Sequence, residues 1–410
     1  MMARFRTLLA ASLIGSSVFG LTTTQALAAG LYGQWRVSFD AHPGGPLPFT
    51  LELREGKSGP QAWLVNAPER LRVEQVQVSA DSITLIFPSY NSRLELKAAS
   101  DGTLAGSATV LRSTGTVVLP ARAQRGAWRF TPGAVKPAGN VTGRWNLTYG
   151  DNKVKGLVLL KQVGGQVSGT VQLPSGDMRY LSGELNGTTL KLSTFDGSFT
   201  SLWNGTLAGD TLKGASFAAT SRPTGNPWEA KKEKQASMNA VVVEAPGGER
   251  LSFRLPTPDG QFVSLNDARY KGKVVVISIG GAWCPNCHDE AQFLGPYAAR
   301  RQREGLEMVG LQFEYGTDQA RAMRQITSFR TRYKLPYPMV YGGQPNADDT
   351  KKVLGDLAPV KVWPTTIFIG RDGRVKEVHV GWAGPAAGAL SEKVKREFDE
   401  TVTKLLKQRA

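Results

Sequence analysis

Apolar and polar residues alternate with a period near two through most of the first half of the chain. Ser82-Ile83-Thr84-Leu85-Ile86-Phe87, Arg93-Leu94-Glu95-Leu96-Lys97 and Thr189-Leu190-Lys191-Leu192-Ser193 each set an apolar face against a polar one, the pattern of a half-buried strand. Dipeptides that tolerate positive φ separate such runs: Asp101-Gly102, Asn186-Gly187, Asp196-Gly197 and Asn204-Gly205. The expectation from Leu31 to Ala219 is an all-β antiparallel meander curled into a barrel or sandwich. Two echoes point to one unit written twice. Gly33-Gln34-Trp35 is answered by Gly143-Arg144-Trp145, and Asp101-Gly102-Thr103-Leu104-Ala105-Gly106 by Asn204-Gly205-Thr206-Leu207-Ala208-Gly209, at spacings that differ by a small indel. The repeats are placed at 29–135 and 140–222, joined through Thr131–Asn140. Trp35 and Trp145 are expected to pack in the two cores.

The pattern then changes. Residues 223–246 hold Pro223, Pro227, the cluster Lys231-Lys232-Glu233-Lys234 and Pro246, and read as a linker between two separately folding parts. Beyond it, strand and helix patterns alternate. Lys273–Ile279 and Leu306–Phe313 read as buried strands, Asn286–Arg303 and Thr317–Tyr333 as helices. Thr366–Ile369 and Val375–Val380 flank the hairpin signal Arg371-Asp372-Gly373, and Ala386–Lys407 has helical periodicity. Such alternation predicts an α/β domain over 247–410.

The N-terminus interrupts both patterns. Arg4 and Arg6 precede an apolar stretch, Leu8 to Leu21, and Ala26-Leu27-Ala28 follows. This is the order of a secretory signal peptide over 1–28. The expectation is an exported, periplasmic protein, soluble after cleavage, with an uncleaved membrane anchor as the alternative. No other apolar run is long enough for a membrane span. A chain of 410 residues implies two or three domains. Its 50 Lys and Arg against 34 Asp and Glu, a net +16, lack any run of five basic residues, so a solvated basic surface is preferred to nucleic-acid binding. The two cysteines stand three residues apart. A disulfide closing so short a loop adds little stability; redox chemistry is its better use.

The chemistry gathers in Val274-Val275-Val276-Ile277-Ser278-Ile279-Gly280-Gly281-Ala282-Trp283-Cys284-Pro285-Asn286-Cys287, a buried strand running into a C-x-x-C that opens a helix. Unpaired N–H groups and the dipole at a helix start favour negative charge, so Cys284 should be the thiolate nucleophile. Pro285 occupies the first turn, where its missing N–H is not needed. Cys287, one turn on, resolves the mixed disulfide.

From about residue 247 to the end the sequence resembles the exported thioredoxin-like thiol–disulfide oxidoreductases of the TlpA/ResA type. Phe253-Arg254-Leu255, Asp259-Gly260-Gln261, Val263-Ser264-Leu265 and Lys271-Gly272-Lys273 precede the redox strand; Trp283-Cys284-Pro285-Asn286-Cys287, Glu290 and Trp363-Pro364-Thr365-Thr366 follow in the family's order. The resemblance implies a thioredoxin fold and catalysis by Cys284 and Cys287. It implies support from Trp283, Pro285, Pro364 and Thr365, with Pro364 as a cis-proline facing the disulfide. It also implies protein thiols and disulfides as substrates, a membrane thiol reductant as electron donor, and no cofactor or metal beyond the disulfide. The favoured role is that of a reductant, in cytochrome c maturation or envelope redox homeostasis. Thioredoxins proper keep a buried acid where this chain has Ser278, so the proton acceptor for Cys287 is open. Glu314 is a candidate against the alternative of an exposed strand end. His288 is a candidate for a cationic contribution against that of a helix-surface residue. Trp363 should offer its backbone to substrate or pack over the disulfide.

Four other readings compete. Cys284-Pro285-Asn286-Cys287-His288 spells a c-type haem attachment site. A peroxiredoxin-like peroxidase shares the fold, although Gly281 stands where such enzymes place Thr or Ser. The β region could itself be an envelope binding or scaffold module. Zinc has no second ligand pair at suitable spacing.

Overall fold

Hairpin after hairpin, the first half of the chain forms nine antiparallel strands: β1 (Gly33–Phe39), β2 (Leu47–Gly56), β3 (Gly59–Asn66), β4 (Glu69–Arg72), β5 (Gln75–Val78), β6 (Ser82–Phe87), β7 (Ser92–Ala98), β8 (Leu104–Arg112) and β9 (Gly115–Arg125). They are ordered β4-β3-β2-β1-β9-β8-β7-β6-β5, a barrel with its seam open between β4 and β5. The computed structural model describes residues 30–126, 128–238, 241–243 and 248–408; the expected signal peptide lies outside them. A second set follows: β10 (Gly143–Tyr149), β11 (Val154–Val163), β12 (Gln166–Leu173), β13 (Gly176–Asp177), β14 (Leu181–Asn186), β15 (Thr189–Phe195), β16 (Thr200–Ala208), β17 (Thr211–Phe217) and β18 (Asn226–Lys232). Its strand order repeats that of the first set, and pairing of β12 with both β11 and β14 closes the ring.

The duplication extends to single contacts. Trp35 Nε1 donates to the Leu31 carbonyl at 2.8 Å, and Trp145 Nε1 to the Val141 carbonyl at 3.0 Å. Trp35 stands opposite Arg125 on the closing strand, Trp145 opposite Lys232, and each cation lies over its indole, at 3.8 and 5.4 Å. Both tryptophans are buried in their barrels. Alternation does the rest: Leu47, Phe49, Leu51 and Leu53 on β2, and Ile83, Leu85 and Phe87 on β6, all face the first core.

Two expectations need correction. Asn204-Gly205 is the middle of β16, where a Cβ on Gly205 would lie 2.7 Å from the Trp228 ring. The glycine answers crowding, and the true turn falls at Gly209, whose φ is +57°. The second sequence echo therefore joins a β7–β8 turn to a strand interior, and the register of the repeat is carried by the tryptophans. The linker is the other correction. Asn226–Lys232 is β18, the strand that closes the second barrel, with Trp228 and Ala230 buried. Pro227, read as a breaker, is tolerated as the second residue of that strand.

The C-terminal domain is a six-stranded sheet ordered β19 (Val241–Val243), β26 (Val375–Val380), β25 (Thr365–Ile369), β22 (Val274–Gly280), β23 (Leu306–Phe313), β24 (Met339–Gly343), beside a small hairpin of β20 (Arg254–Pro256) and β21 (Phe262–Ser264). Its helices are α1 (Pro285–Arg301), α2 (Gln319–Tyr333), α3 (Ala347–Leu354) and α4 (Ala389–Lys407). β19 also falls inside the expected linker and forms the sheet edge. The central strand β22 is buried throughout. Val274 and Val276 join the core that contains Leu294 of α1 and Phe398 of α4; Val275, Ile277 and Ile279 join the core on the opposite face. Ser278 shares the parity of Val276, which aims it at α1. Among the described residues, no helix is long and apolar enough to cross a membrane.

Candidate active site

The end of β22 delivers Cys284 to the first turn of α1. Cys284 is the N-cap in extended conformation, Pro285 follows at the first helical position, and the Cys284 sulfur accepts from the Cys287 N–H at 3.2 Å. The two cysteines are disulfide-bonded, with Cα atoms 5.2 Å apart, and both are buried. The Trp363–Pro364 peptide bond is cis. The Pro364 carbonyl accepts from Gly381 N–H at 2.8 Å, and Thr365 Oγ1 donates to the Val362 carbonyl at 2.7 Å. Trp283 donates its indole N–H to the Phe313 carbonyl, stacks on Tyr315 at 4.5 Å and meets the edge of Trp363 at 5.6 Å. Trp363, only partly buried, also packs on Phe313. One rim of the site is thus an aromatic wall.

One turn along α1 from Cys287 lies a buried acid. Glu290 accepts from Ser278 Oγ at 2.7 Å and from Thr366 Oγ1 at 2.6 Å. Burial pushes its pKa up to about 7 against these two hydrogen bonds. The carboxyl missing from the strand at Ser278 is supplied from the helix. Sequence reasoning noted Glu290 only as part of a motif. The signal was its place three residues after Cys287, on the same helix face.

Residues 246–378 match the model of the AhpC/TSA family. The thiol–disulfide oxidoreductase ResA of Halalkalibacterium halodurans is 24% identical over 156 residues, which are 38% of this chain and 76% of that protein. The thiol:disulfide interchange protein DsbE of Escherichia coli K12 is 28% identical over 135 residues, 32% of this chain and 64% of that one. The chain therefore spans less than two thirds of the DsbE relative. A thioredoxin-family thiol:disulfide interchange protein from Chlorobium tepidum, known as a crystal structure, is 20% identical with a TM-score of 0.31, covering 42% of this chain and 99% of that one. The C-terminal part carries a thioredoxin-fold domain of the AhpC/TSA family. The β barrels lie outside the matched residues.

Two candidates inside the AhpC/TSA domain stand elsewhere than expected. Glu314 is fully buried rather than an exposed strand end. It accepts from the Ala282 N–H at 2.7 Å, its other oxygen has no partner, and burial pushes its pKa to about 8. His288 is no surface residue either. Its Nδ1 meets Tyr333 OH at 2.7 Å, its Nε2 the Ala282 carbonyl at 2.8 Å, and its ring stacks on Tyr90 of the first barrel at 4.0 Å. Burial, with Arg332 nearby, holds its pKa well below 6.5. A neutral ring donating from Nε2 to the carbonyl fits both contacts. The expected helix-surface position is overturned because the first barrel covers this side of α1, a long-range contact that no local pattern encodes. With both ring nitrogens engaged and aromatic rings against it, His288 does not fit the role of haem axial ligand.

Proposed function

We propose that this chain is an exported thiol–disulfide oxidoreductase that reduces disulfides of other exported proteins with the Cys284–Cys287 pair. The observation that carries the reading is a disulfide at the N-terminus of α1, beside a cis-proline loop and backed by a buried acid that titrates near neutrality. In the reduced state Cys284 attacks a substrate disulfide as a thiolate. One substrate sulfur leaves, and a mixed disulfide forms. Cys287 then attacks the Cys284 sulfur, and Glu290 takes its proton. The substrate leaves as a dithiol, and the pair is left oxidised. A membrane thiol reductant would return the two electrons. Trp363 and the Pro364 loop would hold the substrate backbone. The names of the ResA and DsbE relatives support the chemistry; a role in cytochrome c maturation or envelope redox homeostasis is the corresponding physiological proposal. The signal-peptide pattern over 1–28 supports export to the periplasm.

The test is reduction of insulin by the reduced protein. Cys284→Ser abolishes it, and Cys287→Ser accumulates mixed disulfides. Full activity in Cys284→Ser would remove the assigned nucleophile. Peroxide consumption, the alternative chemistry, is measured on the same samples and should be absent, since Gly281 offers no hydroxyl three residues before Cys284.

A further inference from the structure

The redox helix does not stand alone: its first turn is seated on the second barrel. The β12–β13 turn brings the Ser175 carbonyl to Asn286, the residue before Cys287 in the C-x-x-C turn, whose Nδ2 donates to it at 3.3 Å, and Gly176 bridges to Trp382. Three residues beyond Gly176, Arg179 sends a buried guanidinium beneath the same turn, from a backbone with φ +56°. Its Nη1 lies 3.5 Å from the Pro285 carbonyl, inside the C-x-x-C, and 3.0 Å from Asp289 Oδ1. Its Nη2 donates to Glu69 of the first barrel at 2.8 Å, and its Nε lies 3.6 Å from Asp196. Asp177, which accepts from the Arg179 N–H, completes the cluster; one of its oxygens has no partner. Tyr90 donates to Asp196 at 2.7 Å, and Arg332 pairs outside with Glu74 at 2.9 Å. Carboxyls outnumber cations around Arg179. Burial pushes Asp177 up to about 7 and raises Asp289, whereas for Arg179 burial is outweighed by Asp289, Glu69 and Asp196.

We infer that Arg179 is a positioning residue of the redox pair, setting the stability of the Cys284 thiolate and with it the reduction potential, so that the second barrel is a working part of the redox site. This rests on the exchange reading of Cys284–Cys287. A cation beneath the first turn adds to the positive end of the helix and cancels Asp289, two residues after Cys287. Without it, the carboxylates face the thiolate uncompensated, and the reduced form loses stability.

The experiment uses the full chain in glutathione buffers, where the protein disulfide plus two glutathione thiols gives the dithiol plus one glutathione disulfide. In Arg179→Gln the equilibrium constant for reduction falls about threefold to tenfold, as expected for one lost charge near a titrating group, and the Cys284 alkylation curve moves to higher pH. Asp289→Asn moves both in the opposite direction. Arg179→Lys, which keeps the charge, restores most of the wild-type values. General loss of stability cannot produce opposite signs, and Asp289→Asn carries the test if Arg179→Gln does not fold. Unchanged constants in folded Arg179→Gln and Asp289→Asn, or shifts of the same sign, overturn the role of Arg179. A wild-type pair that fails to equilibrate with glutathione overturns the exchange reading and this inference with it.

Discussion

Ser278 and Glu290 illustrate how one residue's chemistry can be moved along the chain without moving in space. The strand offers a hydroxyl, the helix offers the acid, and β22 and α1 pack so that the two meet at 2.7 Å. Replacing Glu290 by Gln leaves the hydrogen-bonding shape and removes the base. The attack of Cys287 on the mixed disulfide should slow about 10²-fold, seen as mixed disulfide persisting on non-reducing gels; release at the wild-type rate would return Glu290 to a packing role. Stability follows the same pKa. The folded value of about 7 lies above the unfolded value near 4.5, so the fold favours the protonated acid. Its contribution is complete below pH 4.5 and is lost as pH rises through 7. Urea unfolding at pH 5 and pH 8 should therefore show wild type losing about 1–3 kcal/mol more than Glu290→Gln across that interval. His288 has the opposite sign. Its folded pKa is depressed, so its contribution is present above pH 6.5 and is lost as pH falls below it.

At the scale of elements, the barrels are built from alternation and closed by a strand that the sequence disguised. β18 carries a proline, two lysines of the charged cluster and few apolar residues, yet Trp228 and Ala230 point inward and complete the second core. Gly205, two strands away across Gly214, makes room for Trp228. Gly205→Ala should cost about 1–3 kcal/mol and perturb tryptophan fluorescence. At the hairpin turn, Gly209 has open space around its Cα but φ +57°, and Gly209→Ala should cost about 1–2 kcal/mol through backbone strain alone, leaving tryptophan fluorescence unchanged. Unchanged fluorescence in Gly205→Ala as well would contradict the crowding argument. The AhpC/TSA domain was more legible. β23 and β26 fall at their expected bounds, and α1 begins within one residue of its expected start, because apolar β-branched runs and amphipathic helices have strong sequence signals. β24 and α3 were not seen, their apolar runs being short.

For the whole molecule, the junction between barrels and redox domain is the decisive feature. Tyr90 stacks on His288, Arg179 binds Asp289, and Arg332 binds Glu74 and Ser89 Oγ. Breaking such buried pairs leaves uncompensated charges. The sequence expectation of two separately folding parts therefore gives way to another prediction: thermal unfolding of the full chain, followed by far-ultraviolet circular dichroism and by fluorescence, proceeds in one coincident transition. Two resolved transitions would show the junction to be weak. Tyr90→Ala, which loses both the stack and the bond to Asp196, should lower stability by about 2–4 kcal/mol. The sequence by itself determined what is local: the alternation that makes barrels, the strand that presents Cys284 at a helix start, and the repeat marked by Trp35 and Trp145. Tertiary structure alone decided that Glu290 meets Ser278, that His288 is neutral and covered, and that Arg179 reaches Asp289 across 110 residues of chain. Periodicity reports which face of an element is apolar, whereas pKa and access depend on which distant groups are brought against that face when water is expelled.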